Sequence, residues 1–409
     1  MSEFKKGWPT LLGAMVGTMC GVQTLTAYTQ GFFAEPLTSE FVWSRAQFFL
    51  SFSVLQLAGV VTAPIVGALG QRYGLKLIGI IGLIGHAIAY VILAQNNGSL
   101  AFFYFSFVLV AVLGAGSLPI VWTSAINNWF VKNRGTAIGI TMAGTGLGAF
   151  ILPPIVVGLT DAYGWRLAYM AIGLGSLAVS LPIILAFFKE GKVEAEDGAS
   201  TVNEKEKPTW GLTRAEAMKT HQFWLLGAVL FFTVLAVGGM LSNFPLIMGE
   251  EGLTRQQIAP IAGAMGISVV IGRVTVGILA DRFWAPAIGA VVFAIMALGV
   301  LTLAISPSIS PTVALLIAIS IGFAAGAELD LLVYLTGKYF GTRYFSEVFG
   351  VVFVFFSIGG GIAGPLYGAV SQAAGSYTNI LFATVGVLAL SITLFIALGR
   401  YPEAEQLDT

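Results

Sequence analysis

Thr254–Arg282 reads TRQQIAPIAGAMGISVVIGRVTVGILADR, and its reading decides the fold. The segment is apolar and long enough, at about 1.5 Å per residue, to cross ~30 Å of hydrocarbon as one helix. Arg273 is the one Lys or Arg of the chain that falls deep inside such a segment. An ionised side chain at mid-membrane depth costs about 2.5–3.5 kcal/mol on insertion scales, so it persists where it meets water, an opposite charge or a substrate. Arg273 is therefore the first candidate for function.

Working outward, the same pattern occurs earlier. Ser44-Arg45-Ala46-Gln47 matches Thr254-Arg255-Gln256-Gln257, and Gly67…Gln71-Arg72 matches Gly277…Asp281-Arg282, at a shift of 210 residues (277 − 67). A constant shift over a whole span is the mark of an internal repeat. Both copies open on S/T-x-x-Q, a capping box that satisfies two free N–H groups where a helix enters the membrane. Both close on a glycine that allows close helix approach, followed by a polar pair able to brace the helix ends. The echo continues from Trp129-Phe130…Arg134 to Tyr339-Phe340…Arg343, and from Gly144, Gly146, Gly148, Pro153 and Pro154 to Gly359, Gly360, Gly361, Gly364 and Pro365. Small residues at this density suit helices that rock on one another, and dense packing alone also accommodates them.

With 57% hydrophobic residues, 10% charged residues and 51 glycines, the chain is an integral membrane protein rather than a water-soluble globule. Apolar runs fall at roughly 8–33, 46–70, 76–95, 100–126, 135–158, 166–188, 222–248, 257–280, 286–305, 311–337, 345–372 and 377–399, which predicts twelve spans. The expected fold is an all-α membrane protein of two pseudo-symmetric six-helix bundles, residues 1–188 and 222–409, joined by a charged cytoplasmic linker over 189–221. Within that linker Trp210–Met218 reads as a short surface helix. Lys5 and Lys6 precede the first run, which is too long for a signal-peptide core and is expected to remain as an uncleaved span. Lys and Arg gather in alternate loops, around Arg72 and Lys76, Lys132 and Arg134, 189–219, Arg282, and Lys338 and Arg343, which predicts that both termini are cytoplasmic.

A zero net charge without a basic stripe gives no nucleic-acid surface. Cys20 is the only cysteine and His86 and His221 the only histidines, so no disulfide or zinc framework is expected. No glycine-rich phosphate loop follows a strand, so no cofactor, metal or catalytic arrangement is expected, and energy should come from an ion gradient.

Span ten carries two acids, Glu328 and Asp330. Asp330 lies eight residues before Lys338 at its end of the span, and Arg273 lies eight before Asp281, so both sit about 12 Å inward from one side and are able to meet. Positions two apart point to nearly opposite helix faces. Asp330 shares a small, partly polar stripe with Gly326, Tyr334 and Gly337 and is expected in the cavity, whereas Glu328 is expected to be the more buried acid, protonated because desolvation favours the neutral form. Arg273 has no repeat mate, since position 63 is Ala63. Further candidates are Gln23, Thr24, Tyr28 and Gln30 on span one, Trp122, Thr123 and Asn127 on span four, and Ser242 and Asn243 on span seven. Trp122, Phe244, Phe355 and Phe356 are candidate apolar walls. Each has a competing role as interhelical packing or glue.

Twelve spans, two halves and paired G-x-x-x-[DQ]-R ends together resemble the major facilitator superfamily over essentially the whole chain. Within it, Asn128–Ala137 (NWFVKNRGTA), Gly144–Gly148, Pro153-Pro154 and Tyr163–Arg166 (YGWR) resemble the monocarboxylate transporter and oxalate/formate exchanger branch, as does Gly272-Arg273-x-x-x-Gly277 on span eight. The resemblance implies that Arg273 binds a substrate carboxylate and that spans one, four and seven line a central cavity. Two departures matter. Animal monocarboxylate carriers have an Asp four residues before that arginine, where Val269 stands here, and oxalate exchangers add a lysine on span eleven, which here has no cation. One cation suits one carboxylate. The expected function is secondary active, proton-coupled transport of a small organic monocarboxylate, such as lactate, pyruvate or an aromatic acid, in a cell inner membrane. The functional unit is expected to be a monomer in a lipid bilayer, with Arg273, Tyr28, Asn127, Trp122, Asn243 and Phe356 binding substrate, Asp330 or Glu328 carrying the proton, and Gly67, Arg72, Gly277, Asp281 and Arg282 forming the conformational motif. An efflux or exchange carrier and a non-transporting receptor are the alternatives.

Overall fold

The computed structural model describes residues 2–130, 134–190, 210–306, 308–341 and 343–402. The first half of the chain forms α1 (Ser2–Met19), α2 (Val22–Phe41), α3 (Arg45–Tyr73), α4 (Leu75–Leu93), α5 (Leu100–Leu113), α6 (Pro119–Trp129) and α7 (Arg134–Phe187). A single turn, α8 (Arg214–Ala217), precedes α9 (His221–Glu250), α10 (Arg255–Arg282), α11 (Ala285–Ile305), α12 (Pro311–Phe340), α13 (Phe345–Ala374) and α14 (Thr378–Ala397). Among the described residues, ten helical segments are long and apolar enough to cross a membrane. Twelve spans are accommodated when α7 is divided at Gly164, whose φ of 82° is non-helical, and α5–α6 is counted as one broken span. Most of the expected linker, 191–209, lies outside the described residues.

Both expected capping boxes are formed, Ser44 with Gln47 at α3 and Thr254 with Gln257 at α10. Two expected continuous spans are instead broken. α1 stops at Met19 and α2 restarts at Val22, and span four unwinds between Gly114 and Leu118. Hydrocarbon offers no water to a freed backbone group, so each break needs its own partners. One partner comes from the other break and one from within the same break: Val22 N–H donates to Ser117 Oγ at 3.0 Å, and Thr24 Oγ1 donates to Thr18 O at 2.7 Å. Gly116 lets the second break press on α4, since a Cβ there would lie 2.1 Å from Ile78 O. Large apolar side chains that face outward, including Ile81, Leu174, Ile295, Leu298 and Leu316, give the bundle its lipid-facing surface.

The halves meet along three seams, each cleared by small residues. Gly146, Gly263 and Gly266 join α7 to α10, Gly364 and Gly368 join α13 to α3, and Gly31 sets α2 against Ser242 and Pro245 of α9. A Cβ at Gly146 would lie 2.2 Å from Val270 Cγ2, and one at Gly368 would lie 2.8 Å from the Arg45 carbonyl carbon. These contacts occupy only the part of the seams remote from the chain termini. Toward the end carrying the termini the same helix stripes gape: a Cβ at Gly67, Gly139, Gly277 or Gly350 would meet nothing within 4 Å. The result is a cleft open at the terminal end and sealed at the far end.

Candidate functional site

Arg273 stands where the α7–α10 seam stops and the cleft begins. α10 and α12 approach closely there because Gly322, Gly326 and Gly272 remove the side chains between them; a Cβ at Gly326 would lie 2.1 Å from Val269 O and 3.0 Å from Arg273 N. One turn beyond Gly326 on the same stripe, Asp330 is delivered to the arginine, with Arg273 Nε 3.7 Å from Asp330 Oδ2. The Arg273 side chain is 15% exposed and that of Asp330 35%. Arg273 Nη1 also reaches across to the first half and donates to Met142 O of α7 at 3.4 Å.

The guanidinium is underused. Arg273 Nε is buried without a hydrogen-bond partner, and so is Glu328 Oε2. Both acids feel the Arg273 charge, so two-residue spacing on α12 does not carry either out of its reach. Tyr28, from α2, lies close enough to feel both Arg273 and Glu328 and makes no hydrogen bond among the described residues. It also borders a narrow, mostly apolar crevice of only about 10 Å³, whose walls include Phe32, Pro153, Phe244, Pro245 and Met265. The arrangement is one cation paired with the carboxylate of Asp330, with a second carboxylate, Glu328, and a phenol from the opposite half, Tyr28, within the reach of its charge, which can accept an anion in exchange for a proton or an internal partner.

Other expected contacts are placed elsewhere. Trp122 is fully buried inside the first half, its Nε1 donating to Ser117 O at 3.1 Å and its ring filling the space left by Gly17 and Gly79, so it walls no cleft. Asn243 is likewise buried: Nδ2 donates to Gly239 O at 3.1 Å and to Ser242 Oγ at 3.1 Å, and Oδ1 accepts from Tyr377 OH at 2.9 Å. It is interhelical glue. Gln30 bonds Ser51 and Tyr169, and Thr123 and Ser242 bond their own helices, whereas Gln23 is exposed. The side chain of Asn127 lies outside the described residues. Phe356 stacks on Phe353 at 5.3 Å, and Phe353 on Phe349 at 5.8 Å, continuing the α13 stripe of Gly360, which faces Gln56 of α3, toward the open end.

In the expected conformational motif, a Cβ at Gly67 or Gly277 would meet nothing within 4 Å, Arg72 stacks on its neighbour Tyr73 at 5.2 Å, and, among the described residues, no ion pair involves Arg72, Asp281 or Arg282. These groups lie at the splayed end of the seams.

A family model described as Major Facilitator Superfamily matches residues 15–365. The chain belongs to that superfamily. Major facilitators are membrane transporters, so this is a multi-pass transporter of a small molecule. Monocarboxylate transporter 12-B of Danio rerio is 26% identical over 98% of this chain and 89% of its own length. Monocarboxylate transporter 12 of Homo sapiens is 25% identical over 91% of this chain and 76% of its own. YhjX, an uncharacterized MFS-type transporter of Escherichia coli, is 24% identical over 86% and 85%. Among solved structures, a bacterial homologue of the human lysosomal transporter Spinster, inward-facing and unoccupied, superposes with a TM-score of 0.74 over 96% of both chains at 18% identity, a likeness of fold.

Proposed function

We propose that this major facilitator carries a small organic monocarboxylate together with a proton, by alternating access of two bundles, residues 1–188 and 222–409, in a cell inner membrane with both termini cytoplasmic. The observation that carries the reading is Arg273: a cation at the apex of the cleft whose Nε faces Asp330 at 3.7 Å, an ion pair too long to be a hydrogen bond. An arriving carboxylate competes with Asp330 for the guanidinium, and Asp330, displaced, takes up a proton. Anion and proton binding then favour each other, which is the linkage a symporter requires. The names of the animal relatives favour the same substrate class. Glu328, with its unpartnered oxygen, is the second station for the proton.

Arg273→Lys tests the clamp. Lysine keeps the charge but not the two-pronged geometry. Uptake of labelled lactate, pyruvate and benzoate into vesicles under an inward proton gradient should fall at least tenfold; near-normal saturation and rate would exclude a two-pronged clamp.

A further inference from the structure

The far end of the molecule is closed by two arginines at equivalent positions of the repeat. Arg45 opens α3 and Arg255 opens α10, 210 residues apart (255 − 45). Each crosses between halves. Arg45 Nη1 lies 2.8 Å from Glu250 Oε1 at the end of α9 and 3.4 Å from Ser371 Oγ near the end of α13. Arg255 Nη1 lies 3.5 Å from Asp161 Oδ1 of α7, and its Nη2 donates to Phe32 O of α2 at 3.1 Å; Gln256 Nε2 adds a bond of 2.8 Å to Asp161 Oδ2.

The duplication explains the geometry and its asymmetry. In the α7–α13 pair the shift is 211 (365 − 154), set by Pro154 and Pro365 and by the left-handed glycines Gly164 and Gly375, so Ser371 is the repeat mate of Thr160, the neighbour of Asp161, and the two arginines reach adjacent positions of the repeat, acidic in one seam and a hydroxyl in the other. The mate of Glu250 is Glu40 (250 − 40 = 210), but Glu40 is held inside the first half by Arg166 at 2.9 Å and Trp165 Nε1 at 2.5 Å. Each arginine is thus left with one acid across the divide, and the two acids sit on different helices. Both major seams are pinned.

The same helices carry the site. Arg255 and Arg273 are 18 residues apart on α10, five turns at 3.6 residues per turn, so they share one face about 27 Å apart. Both reach α7, at Asp161 and at Met142 O. Phe32, whose carbonyl receives Arg255, lies one turn beyond Tyr28.

We propose that Arg45 and Arg255 form a two-armed latch that holds the far end shut, and that Arg273 becomes exposed to that end only when both arms release. This rests on the alternating-access part of the proposed function and not on the identity of the substrate.

The test reads accessibility, which needs no substrate. In a Cys20→Ser background, Ser53→Cys places a thiol in the sealed α3–α13 seam, where the serine donates to Gly361 O, and Val60→Cys places one on the open side, at a position 46% exposed. Membrane-impermeant maleimide is applied from each side of sealed vesicles. Arg45→Gln or Arg255→Gln alone should raise far-side labelling of Ser53→Cys about 1.4- to 5-fold, the range for partly exposed ion pairs, and the two together about 2- to 25-fold. Val60→Cys labelling from the terminal side should fall in step. The swap Arg45→Glu with Glu250→Arg should return labelling to within about twofold of the parent. Unchanged labelling in the double variant or failure of the swap would each overturn the latch. Should a variant misfold, far-side labelling of Ser53→Cys with all arginines intact must rise as salt is raised from about 0.05 to 1 M, because partly exposed pairs are screened; no rise overturns the proposal. Loss of carboxylate flux with the accessibility pattern intact would count against the proposed substrate alone.

Discussion

Gly326→Ala probes the contact on which the site is built. The added methyl would lie 2.1 Å from Val269 O and 3.0 Å from Arg273 N, where ordinary contact begins at 3.4 Å. Both obstructing atoms are backbone, so no rotamer change makes room and α12 must retreat by about 1.3 Å (3.4 − 2.1). Overpacking of this kind costs about 1–3 kcal/mol. Asp330, one turn away, moves with the helix, so its 3.7 Å separation from Arg273 grows to roughly 5 Å and the Coulomb attraction weakens by about a quarter at any fixed dielectric. Thermal unfolding of the purified variant in detergent should show a midpoint lowered on the order of 1–4 °C. The matched control is Gly277→Ala. Its methyl meets nothing within 4 Å, so the midpoint should hold while turnover falls, because that glycine is needed where the splayed ends close. A Gly326→Ala protein as stable as its parent would show that α10 and α12 do not touch there, and the account of how Asp330 reaches Arg273 would fail with it.

Asp330→Asn should leave anion binding intact, measured by thermal shift with benzoate, while uptake loses its dependence on an inward proton gradient; retained dependence would transfer the proton to Glu328. Trp122→Phe removes the indole donor to Ser117 O and should lower thermal stability by about 1 kcal/mol with KM unchanged, whereas a raised KM would return Trp122 to the substrate path. Gly164→Ala forces a side chain into a backbone conformation at φ 82° and should cost about 1 kcal/mol or more of stability, read by thermal unfolding, although no neighbouring atom obstructs it.

Much of this architecture is legible in the sequence because membrane constraints are severe. Hydropathy locates the spans, the shift of 210 locates the repeat, and counting eight residues inward from Asp281 and Lys338 predicts that Arg273 and Asp330 meet, as they do. The breaks at Cys20–Gly21 and Gly114–Leu118 are not legible, since an apolar run has the same hydropathy whether helical or unwound, and what permits the breaks is Ser117, a partner 95 residues from Val22. Trp122 and Asn243 look like cavity groups because polar and aromatic residues in spans serve glue and substrate alike; only their partners, Ser117 O and Tyr377 OH, distinguish the two. Arg45 and Arg255 appear as sparse charges in the opposite loops, and their partners across the seams emerge only when two halves are packed together.

Gly164 carries a mechanical consequence. α7 runs for 54 residues through that single non-helical position, and the next two residues, Trp165 and Arg166, both grip Glu40 at the end of α2. Spans five and six therefore share a one-residue corner, tied to the tip of span one by a partly exposed ion pair and an indole hydrogen bond. With one residue at the corner, displacement of the fifth span is expected to move the sixth with it. Lengthening the corner by even a few flexible residues would let one arm swing while the other stands still.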